Sequence, residues 1–432
     1  MKSKLFFQYV IPSMLAFALS GVYSIVDGFF IGNSLQDAGL AAINIAYPIC
    51  AFVQAVGTGV GLAGAIRFTI LRAQGKHEEG NAYFSGTVLL LLLVSVMLTL
   101  LCLLLSTTVL RLLGAEGYVL QIADEYIRVI AVGAIFQIYG TGLVPFIRNM
   151  GGAAFAMAAM IAGFLTNILL DYLFVWLYGW GMAGAAWATI IGQGTTMLCA
   201  VWYLLSKRMR LKFLRCAKLL EIFRSVFKIS ISPFGLTFSP NIILILMNRF
   251  LLIYGGEQAV ASYACISYIT SIVYLLLQGV GDGSQPLISK CYGKNALQDM
   301  KRTRSLAYWT GFAVTILCMI GVFSARSYVG ILFGASETVG QNVAQILPLF
   351  LSSLLFLSFV RITTAYFYAT EQSKLSYVMV YAEPIFVSAL LLVLPLFAGL
   401  NGVWASVPLA QALTWIAALF AKHRVDKQCM AL

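Results

Sequence analysis

The chain has 432 residues, of which 61% are hydrophobic and 10% are charged. Soluble domains carry about a quarter charged residues, so this composition excludes a water-soluble protein and indicates an integral membrane protein. The formal net charge of +12 does not indicate nucleic-acid binding, because most of the 28 Lys and Arg fall in alternate loops and at the termini. This distribution follows the positive-inside rule and predicts a multi-pass protein of the cytoplasmic membrane with both termini cytoplasmic.

Catalytic side chains are scarce in this composition. The eight cysteines and two histidines show no disulfide framework, no metal-ligand spacing and no His-based catalytic constellation. We therefore expect neither an enzyme nor a bound cofactor. The N-terminal apolar run mimics a signal peptide, but we expect no cleavage, because the same segment has a counterpart in the second half of the chain.

Long apolar runs that do not alternate with polar residues predict an all-α polytopic protein with twelve transmembrane helices. The first six are predicted at about 7–31, 39–72, 81–108, 119–147, 154–178 and 183–206. The second six are predicted at about 227–254, 258–290, 304–324, 341–369, 374–396 and 402–422. We expect an N-lobe of residues 1–206, a basic cytoplasmic linker of residues 207–226 and a C-lobe of residues 227–432.

The two halves of the chain carry a weak internal repeat. Its clearest matches, at a shift of 218 residues, pair Gly61 with Gly279, Gly181 with Gly399 and Gln193 with Gln411. Six helices followed by six keep the same orientation, which predicts two pseudo-symmetric six-helix bundles with a substrate cavity and alternating access by rocking. In the repeat register Asp27 aligns with Asn248, so the acid is kept in one half only.

Asp27 lies inside an apolar run that should cross the membrane. An ionisable group there costs about 2.5–3.5 kcal/mol on insertion scales, so it is a functional-site hypothesis by default. Tyr23 precedes Asp27 by four residues and shares its helix face, as Asn167 does with Asp171.

Counted from the predicted outer ends of the helices, several polar residues of the first half lie at a similar depth to Asp27. They are Tyr126 on helix 4, Asn167 and Asp171 on helix 5, and Thr189 on helix 6. Oxygen ligands of this kind suit a hard cation such as Na⁺, whereas two close carboxylates favour proton uptake. The alternative is a buried hydrogen-bond network that only holds the lobe together.

The second half offers another polar cluster. Asp282, Arg361 and Glu383 each lie about eight or nine residues from the predicted cytoplasmic ends of helices 8, 10 and 11. Their matching depth allows an acid–Arg–acid cluster, which is either a structural ion lock or a carboxylate that attracts a cationic substrate. Asn248 is either part of such a substrate site or a polar packing contact.

The sequence resembles the MATE (multidrug and toxic compound extrusion) transporters over essentially its whole length. The matching stretches are Val-Asp27-Gly-Phe-Phe-Ile-Gly, Gly75-Lys76, Asn167…Asp171, Gly181…Gly184-Ala-Ala-Trp-Ala-Thr189 and Gln285-Pro286…Gly293. The resemblance implies a V-shaped pair of six-helix lobes around a central cavity, with a cation site in the N-lobe. That site corresponds here to Tyr23, Asp27, Asn167, Asp171 and Thr189, with Tyr126 as a further position. One departure is Ala382-Glu383 on helix 11, where many bacterial relatives have an Arg-Gln pair.

The sequence therefore favours an antiporter that exports organic cations or drugs in exchange for H⁺ or Na⁺. A possible Na⁺ site would use Asp27, Asn167, Asp171 and Thr189. The alternative is a lipid-linked oligosaccharide flippase of the same superfamily, which Arg361 and Arg249 would support through a cationic cavity. We expect a monomer whose partners are small organic cations or drugs and membrane lipids, with no nucleic acid.

Overall fold

The computed structural model describes residues 3–333 and 335–428, without the side chains of Asp37 and Gln428. Over these ranges the chain forms helices and no β-strand, as its composition predicts. The terminal residues lie outside the described ranges, so the cytoplasmic location of both termini stays a prediction.

The first half contains six membrane-length helices, numbered here in chain order. They are helix 1 (Ser3–Gln36), helix 2 (Ala38–Ala73), helix 3 (His77–Leu112), helix 4 (Gly117–Val132 and Ala134–Asn149), helix 5 (Ala153–Leu177) and helix 6 (Gly181–Ser206). Helix 4 was expected to be continuous, but its two parts are bent by 57°. The bend falls at Gly133, where a Cβ atom would collide with the side chain of Ile190 on helix 6.

The second half also contains six helices, two pairs of which are continuous through a kink. Helices 7 and 8 form Cys216–Gly293 and divide at Gly256, and helices 11 and 12 form Ser373–Gln428 and divide at Gly399. Helix 9 is Leu297–Ser324, and helix 10 is Glu337–Ala369 after a short helix at Arg326–Leu332. The twelve predicted helices are therefore confirmed over the described residues.

The corners between helices show the internal repeat in the backbone. Gln36 at the corner of helices 1 and 2 has φ 52° and ψ −143°, and Gly256 at the corner of helices 7 and 8 has φ 67° and ψ −165°. Gly181 and Gly399, which the repeat register pairs, have φ 58° and 52°. Because L side chains rarely adopt this region, glycine is expected at such corners and Gln36 is strained.

The contacts divide the chain into two compact units. One contains the residues up to Met14 together with 239–291 and those from 295 onward, and the other contains 15–238 and 292–294. These units are defined by contacts between residues, whereas the predicted lobes are defined by the internal sequence repeat. The lobe boundaries at 206 and 227 therefore stay a prediction.

In the unit that contains Asp27, glycines let helices approach closely. A Cβ atom on Gly192 of helix 6 would lie 2.8 Å from the carbonyl oxygen of Gly163 and 2.9 Å from Cβ of Asn167, both on helix 5. A Cβ atom on Gly61 of helix 2 would collide with the backbone of Gly142 on helix 4. These close approaches position Asn167 against helix 6 at the depth of Thr189.

Candidate functional site

Helices 5 and 6 bring Asn167 and Thr189 together. The Asn167 side chain is 2% exposed, and its Nδ2 donates a hydrogen bond to Oγ1 of Thr189 at 3.5 Å. Its Oδ1 is also buried and accepts no hydrogen bond from the described residues. The amide therefore keeps a buried oxygen with free lone pairs while its nitrogen is held by helix 6.

Asp171 is a buried acid of this unit. It is fully buried one turn beyond Asn167 on helix 5, and it interacts directly with the carboxylate of Asp27 on helix 1. Neither Oδ1 nor Oδ2 of Asp171, nor Oδ1 of Asp27, accepts a hydrogen bond within the part of the chain that the structure describes. Two acids facing each other without a donor repel when both are ionised, so the pair favours a cation.

Two tyrosines complete this site. The Tyr23 ring stacks on Phe164 of helix 5, with 5.1 Å between ring centroids and an interplanar angle of 8°. Tyr126 on helix 4 is 4% exposed and lies within electrostatic reach of Asp27 and Tyr23. The Thr189 hydroxyl is a side-chain neighbour of both phenols. The structure thus gathers all six residues that the sequence placed at matching depth, although their role in coupling stays a prediction.

Helix 5 changes from an α-helix to a π-helix next to Asp171. The α-helical part of helix 5 ends at Asp171, and Tyr172–Leu177 continues as a π-helix. Ser34 of helix 1 reaches this segment, with its Oγ donating to the carbonyl oxygen of Val175 at 3.5 Å. π-helical turns are rare and are frequently found at functional sites.

The donor set fits a small hard cation. Four buried oxygens, from the two carboxylates and the Asn167 amide, lack a donor among the described residues. Carboxylate, amide and hydroxyl oxygens are the ligands that hard cations prefer, and a proton shared by the acids would serve the same electrostatic purpose. Within the described ranges no group of three or more His, Cys, Asp or Glu gathers as a metal site. Oxygen donors of this kind suit Na⁺ or H⁺ better than a transition metal.

A second polar cluster lies in the other unit. Glu383 on helix 11 is 6% exposed, and its Oε1 accepts hydrogen bonds from the Tyr274 hydroxyl at 3.2 Å and from Gln411 Nε2 at 3.0 Å. The Arg361 guanidinium lies over the Tyr274 ring, 4.9 Å from its centroid. Arg361 and Glu383 thus belong to one buried network that also includes helices 8 and 12.

Asp282 and Asn248 are the other predicted residues of the second half. Asp282 is buried, and its Oδ1 accepts a hydrogen bond of 2.8 Å from the Tyr368 hydroxyl. Asn248 lines a cavity of about 550 Å³ near the kink between helices 7 and 8, together with Arg249 and Glu257. The structure shows no contact that joins Asn248 to the network of Glu383 within the described residues.

Sequence reasoning missed several contributors to these sites. The predicted cluster does not include Tyr274 or Gln411, although Gln411 is the repeat partner of Gln193. Cys50, which lies near Asp27 and Tyr126, carried no signal in the sequence. The π-helical segment was also missed, since Tyr-Leu-Phe-Val-Trp-Leu reads as an ordinary apolar helix.

Known proteins match the chain over nearly its full length. The Multidrug export protein MepA of Staphylococcus saprophyticus subsp. saprophyticus is 26% identical over 417 residues, which cover 95% of this chain and 91% of that protein. MepA of Staphylococcus aureus strain MRSA252 is 26% identical over 426 residues, which cover 96% and 92% of the two chains.

Solved structures share the fold. The outward-facing structure of a multidrug resistance MATE family transporter of the MOP superfamily aligns with a TM-score of 0.90 at 21% identity, covering 98% of this chain and 96% of that one. A MOP superfamily transporter from Pyrococcus furiosus Vc1, described by the reverse polarity of its binding pocket, aligns with a TM-score of 0.90 at 22% identity and the same coverage. At these identities the likeness shows the fold alone.

The family comparison is decisive and also supports the repeat. The MatE family model matches twice, at residues 12–173 and at residues 235–396, once in each half of the chain. The two matches cover well over half of the sequence, and the resemblance to the MATE transporters is confirmed: the chain belongs to the MatE family of membrane transporters.

Proposed function

We propose that this chain is a cation-coupled antiporter that exports organic cations or drugs across the cytoplasmic membrane in exchange for H⁺ or Na⁺, by alternating access. The curated relatives are multidrug export proteins, which supports drugs as the class of substrate. The coupling ion is assigned to the site formed by Asp27, Asn167, Asp171 and Thr189.

One observation carries this assignment. Asp27 and Asp171 interact directly, and their buried oxygens together with Oδ1 of Asn167 have no donor among the described residues. A buried polar atom without a partner costs about 1–3 kcal/mol, so a stability network would have supplied donors. A site that must bind and release a cation in each cycle has to leave these oxygens free.

The residues have distinct roles in this proposal. Asp27 and Asp171 hold the cation, and binding removes the repulsion between helix 1 and helix 5. Asn167 and Thr189 supply a neutral oxygen and orient the site from helices 5 and 6. Tyr23 and Tyr126 shield the pair from water. Since a ligand shifts a conformational equilibrium only through its differential affinity for the states, the cation must bind them unequally.

The flippase alternative is less well supported. It needs exposed cavity cations, but Arg361 is only 6% exposed and lies over the Tyr274 ring. Arg249 is exposed beside an acid, Glu257, in the same cavity, which weakens the attraction for a pyrophosphate.

Transport in proteoliposomes tests the proposal. We expect a cationic dye to be driven uphill by an imposed Na⁺ or pH gradient in the wild-type protein. Asp27→Asn should abolish this gradient-driven transport. Glu125→Gln is the matched control, because Glu125 precedes Tyr126 but its side chain is exposed. A rate of dye transport by the wild-type protein that is the same with and without the Na⁺ and pH gradients would refute the proposal.

A further inference from the structure

The segment that joins helices 6 and 7 is short, extended and basic. We call residues 207–215 the linker strap. Helix 6 ends at Ser206, Arg208 follows with φ 56°, and the Met209 N–H donates to the carbonyl oxygen of Leu204 at 3.0 Å. This left-handed residue closes the helix, and the chain then runs without secondary structure until Cys216.

The strap forms a hydrogen bond and an ion pair with helix 3. The backbone N–H of Lys212 donates to Oγ of Ser85 at 2.9 Å, and Nζ of Lys212 lies 3.0 Å from Oε1 of Glu78. Met209 is 7% exposed, so its side chain anchors the start of the strap. These contacts attach the strap to helix 3 at Lys212 and bury Met209 at its start.

The other side chains of the strap are apolar or cationic, and all of them except Leu214 are exposed. Phe213 is fully exposed at 106%, and Leu211 is 65% exposed. Arg208, Arg210 and Arg215 are also exposed, and none of them forms a hydrogen bond through its side chain or an ion pair with another described residue. Water solvates the three guanidinium groups, whereas the exposed Phe213 and Leu211 side chains would gain free energy by transfer into an apolar environment.

The strap begins close to a membrane interface. Trp202 lies one turn before the end of helix 6, is 64% exposed, and stacks on Phe155 with 5.6 Å between centroids. Exposed Trp residues of membrane helices are enriched at the level of the lipid headgroups. Four residues of helix span only about 6 Å, so Ser206 and the strap lie at headgroup depth.

We propose that the linker strap is a lipid-binding surface that takes anionic phospholipid headgroups. Arg208, Arg210 and Arg215 pair with the lipid phosphates, while Phe213 and Leu211 insert at the boundary between headgroups and acyl chains. Charge complementarity selects this occupant, because residues 207–224 contain seven Lys and Arg and one Glu. The anchor sets the position of the linker independently of the cation site.

Hydrogen exchange on the full-length protein tests this proposal. The protein is placed in nanodiscs of pure phosphatidylcholine or of equimolar phosphatidylcholine and phosphatidylglycerol. We expect severalfold slower exchange of the strap amides in the anionic nanodiscs, with no lipid-dependent change in the loop between helices 3 and 4. Equal strap exchange in both lipids would overturn the proposal.

Variants separate lipid binding from other causes of protection. Arg210→Gln with Arg215→Gln should remove the lipid-dependent slowing, whereas Lys301→Gln with Arg302→Gln removes two exposed cations from helix 9 and should preserve it. If inorganic phosphate protects the strap equally in phosphatidylcholine nanodiscs, the strap is an anion site and not a lipid surface. Slowing that persists in the Arg210 and Arg215 variant would also contradict the proposal.

Discussion

The carboxylate of Asp171 on helix 5 interacts directly with that of Asp27 on helix 1, and both Asp171 oxygens are buried without a donor among the described residues. Helix 1 and helix 5 therefore meet through two like charges when the pair is fully ionised. This arrangement makes the contact between the helices depend on whether a cation is bound.

Asp171→Asn should raise the free energy of unfolding at alkaline pH by about 1–3 kcal/mol, because the amide supplies a donor to Asp27 and removes one of two like charges. The gain should shrink as the pH falls, since protonation of the native pair gives the same relief. Thermal unfolding in detergent across a pH series measures this effect. Glu125→Gln is the control, and a loss of stability at alkaline pH in Asp171→Asn would contradict the account.

The glycine contact between helices 5 and 6 is expected to be needed for the site. A Cβ atom on Gly192 would lie 2.9 Å from Cβ of Asn167, whereas one on Gly194 would lie 3.7 Å from the Phe136 ring, an ordinary contact. We expect Gly192→Ala to cost about 1–3 kcal/mol of stability and to reduce coupled transport, because overpacking displaces Asn167. Gly194→Ala should leave both unchanged. Equal effects of the two substitutions in unfolding and transport assays would count against this packing.

Much of this architecture can be predicted from hydropathy alone. Apolar runs of sufficient length identify each helix, but their polar ends escape detection: helix 9 begins at Leu297, seven residues before its predicted start at residue 304. Depth along the helices was enough to select Asp27, Asn167, Asp171 and Thr189, because a membrane fixes the height of each position. Polar residues within an apolar transmembrane run are few, so each of them is a candidate for a functional site.

Contacts that depend on helix rotation and on local backbone form could not be predicted. The hydrogen bonds of Tyr274 and Gln411 with Glu383 need the relative rotation of helices 8, 11 and 12, which hydropathy does not determine. Gly133 was available as a sign of the bend in helix 4, but a lone glycine in a helix is more often tolerated without a bend.

The corner at Gln36 offers a stabilising substitution. Gln36 has φ 52° and ψ −143°, a region that is essentially restricted to glycine, and the corresponding corner of helices 7 and 8 has Gly256. We expect Gln36→Gly to raise the free energy of unfolding by about 1 kcal/mol. Asn33→Gly, in the last turn of helix 1, should lower it, because the substitution removes the hydrogen bond from Asn33 Nδ2 to the carbonyl oxygen of Phe29. A chemical unfolding series measures both, and a loss of stability in Gln36→Gly would show that this corner is not strained.

The end of helix 12 is fixed by an ion pair with helix 9. Arg304 donates two hydrogen bonds to the Asp426 carboxylate, at 2.8 and 3.1 Å, and its guanidinium lies 4.6 Å from the centroid of the Tyr366 ring. Asp426→Asn should cost about 2 kcal/mol, because it leaves the Arg304 side chain, only 8% exposed, without its counter-ion.

Lys422→Gln is the matched control for that ion pair. Lys422 also pairs with Asp426, at 3.3 Å, but it is 29% exposed, and pairs of this kind contribute about 0–1 kcal/mol. Unfolding midpoints of the two variants give the comparison. A larger loss in Lys422→Gln than in Asp426→Asn would reverse the assigned importance of the two cations.

In the proposed function, Asp27 couples transport to a cation gradient rather than binding the exported substrate. Substrate flux in proteoliposomes, measured both downhill without an ion gradient and uphill against one, tests this claim most directly. We predict that Asp27→Asn retains downhill flux within about twofold, while uphill transport driven by Na⁺ or H⁺ is lost. Uphill transport at the wild-type level in Asp27→Asn would contradict it.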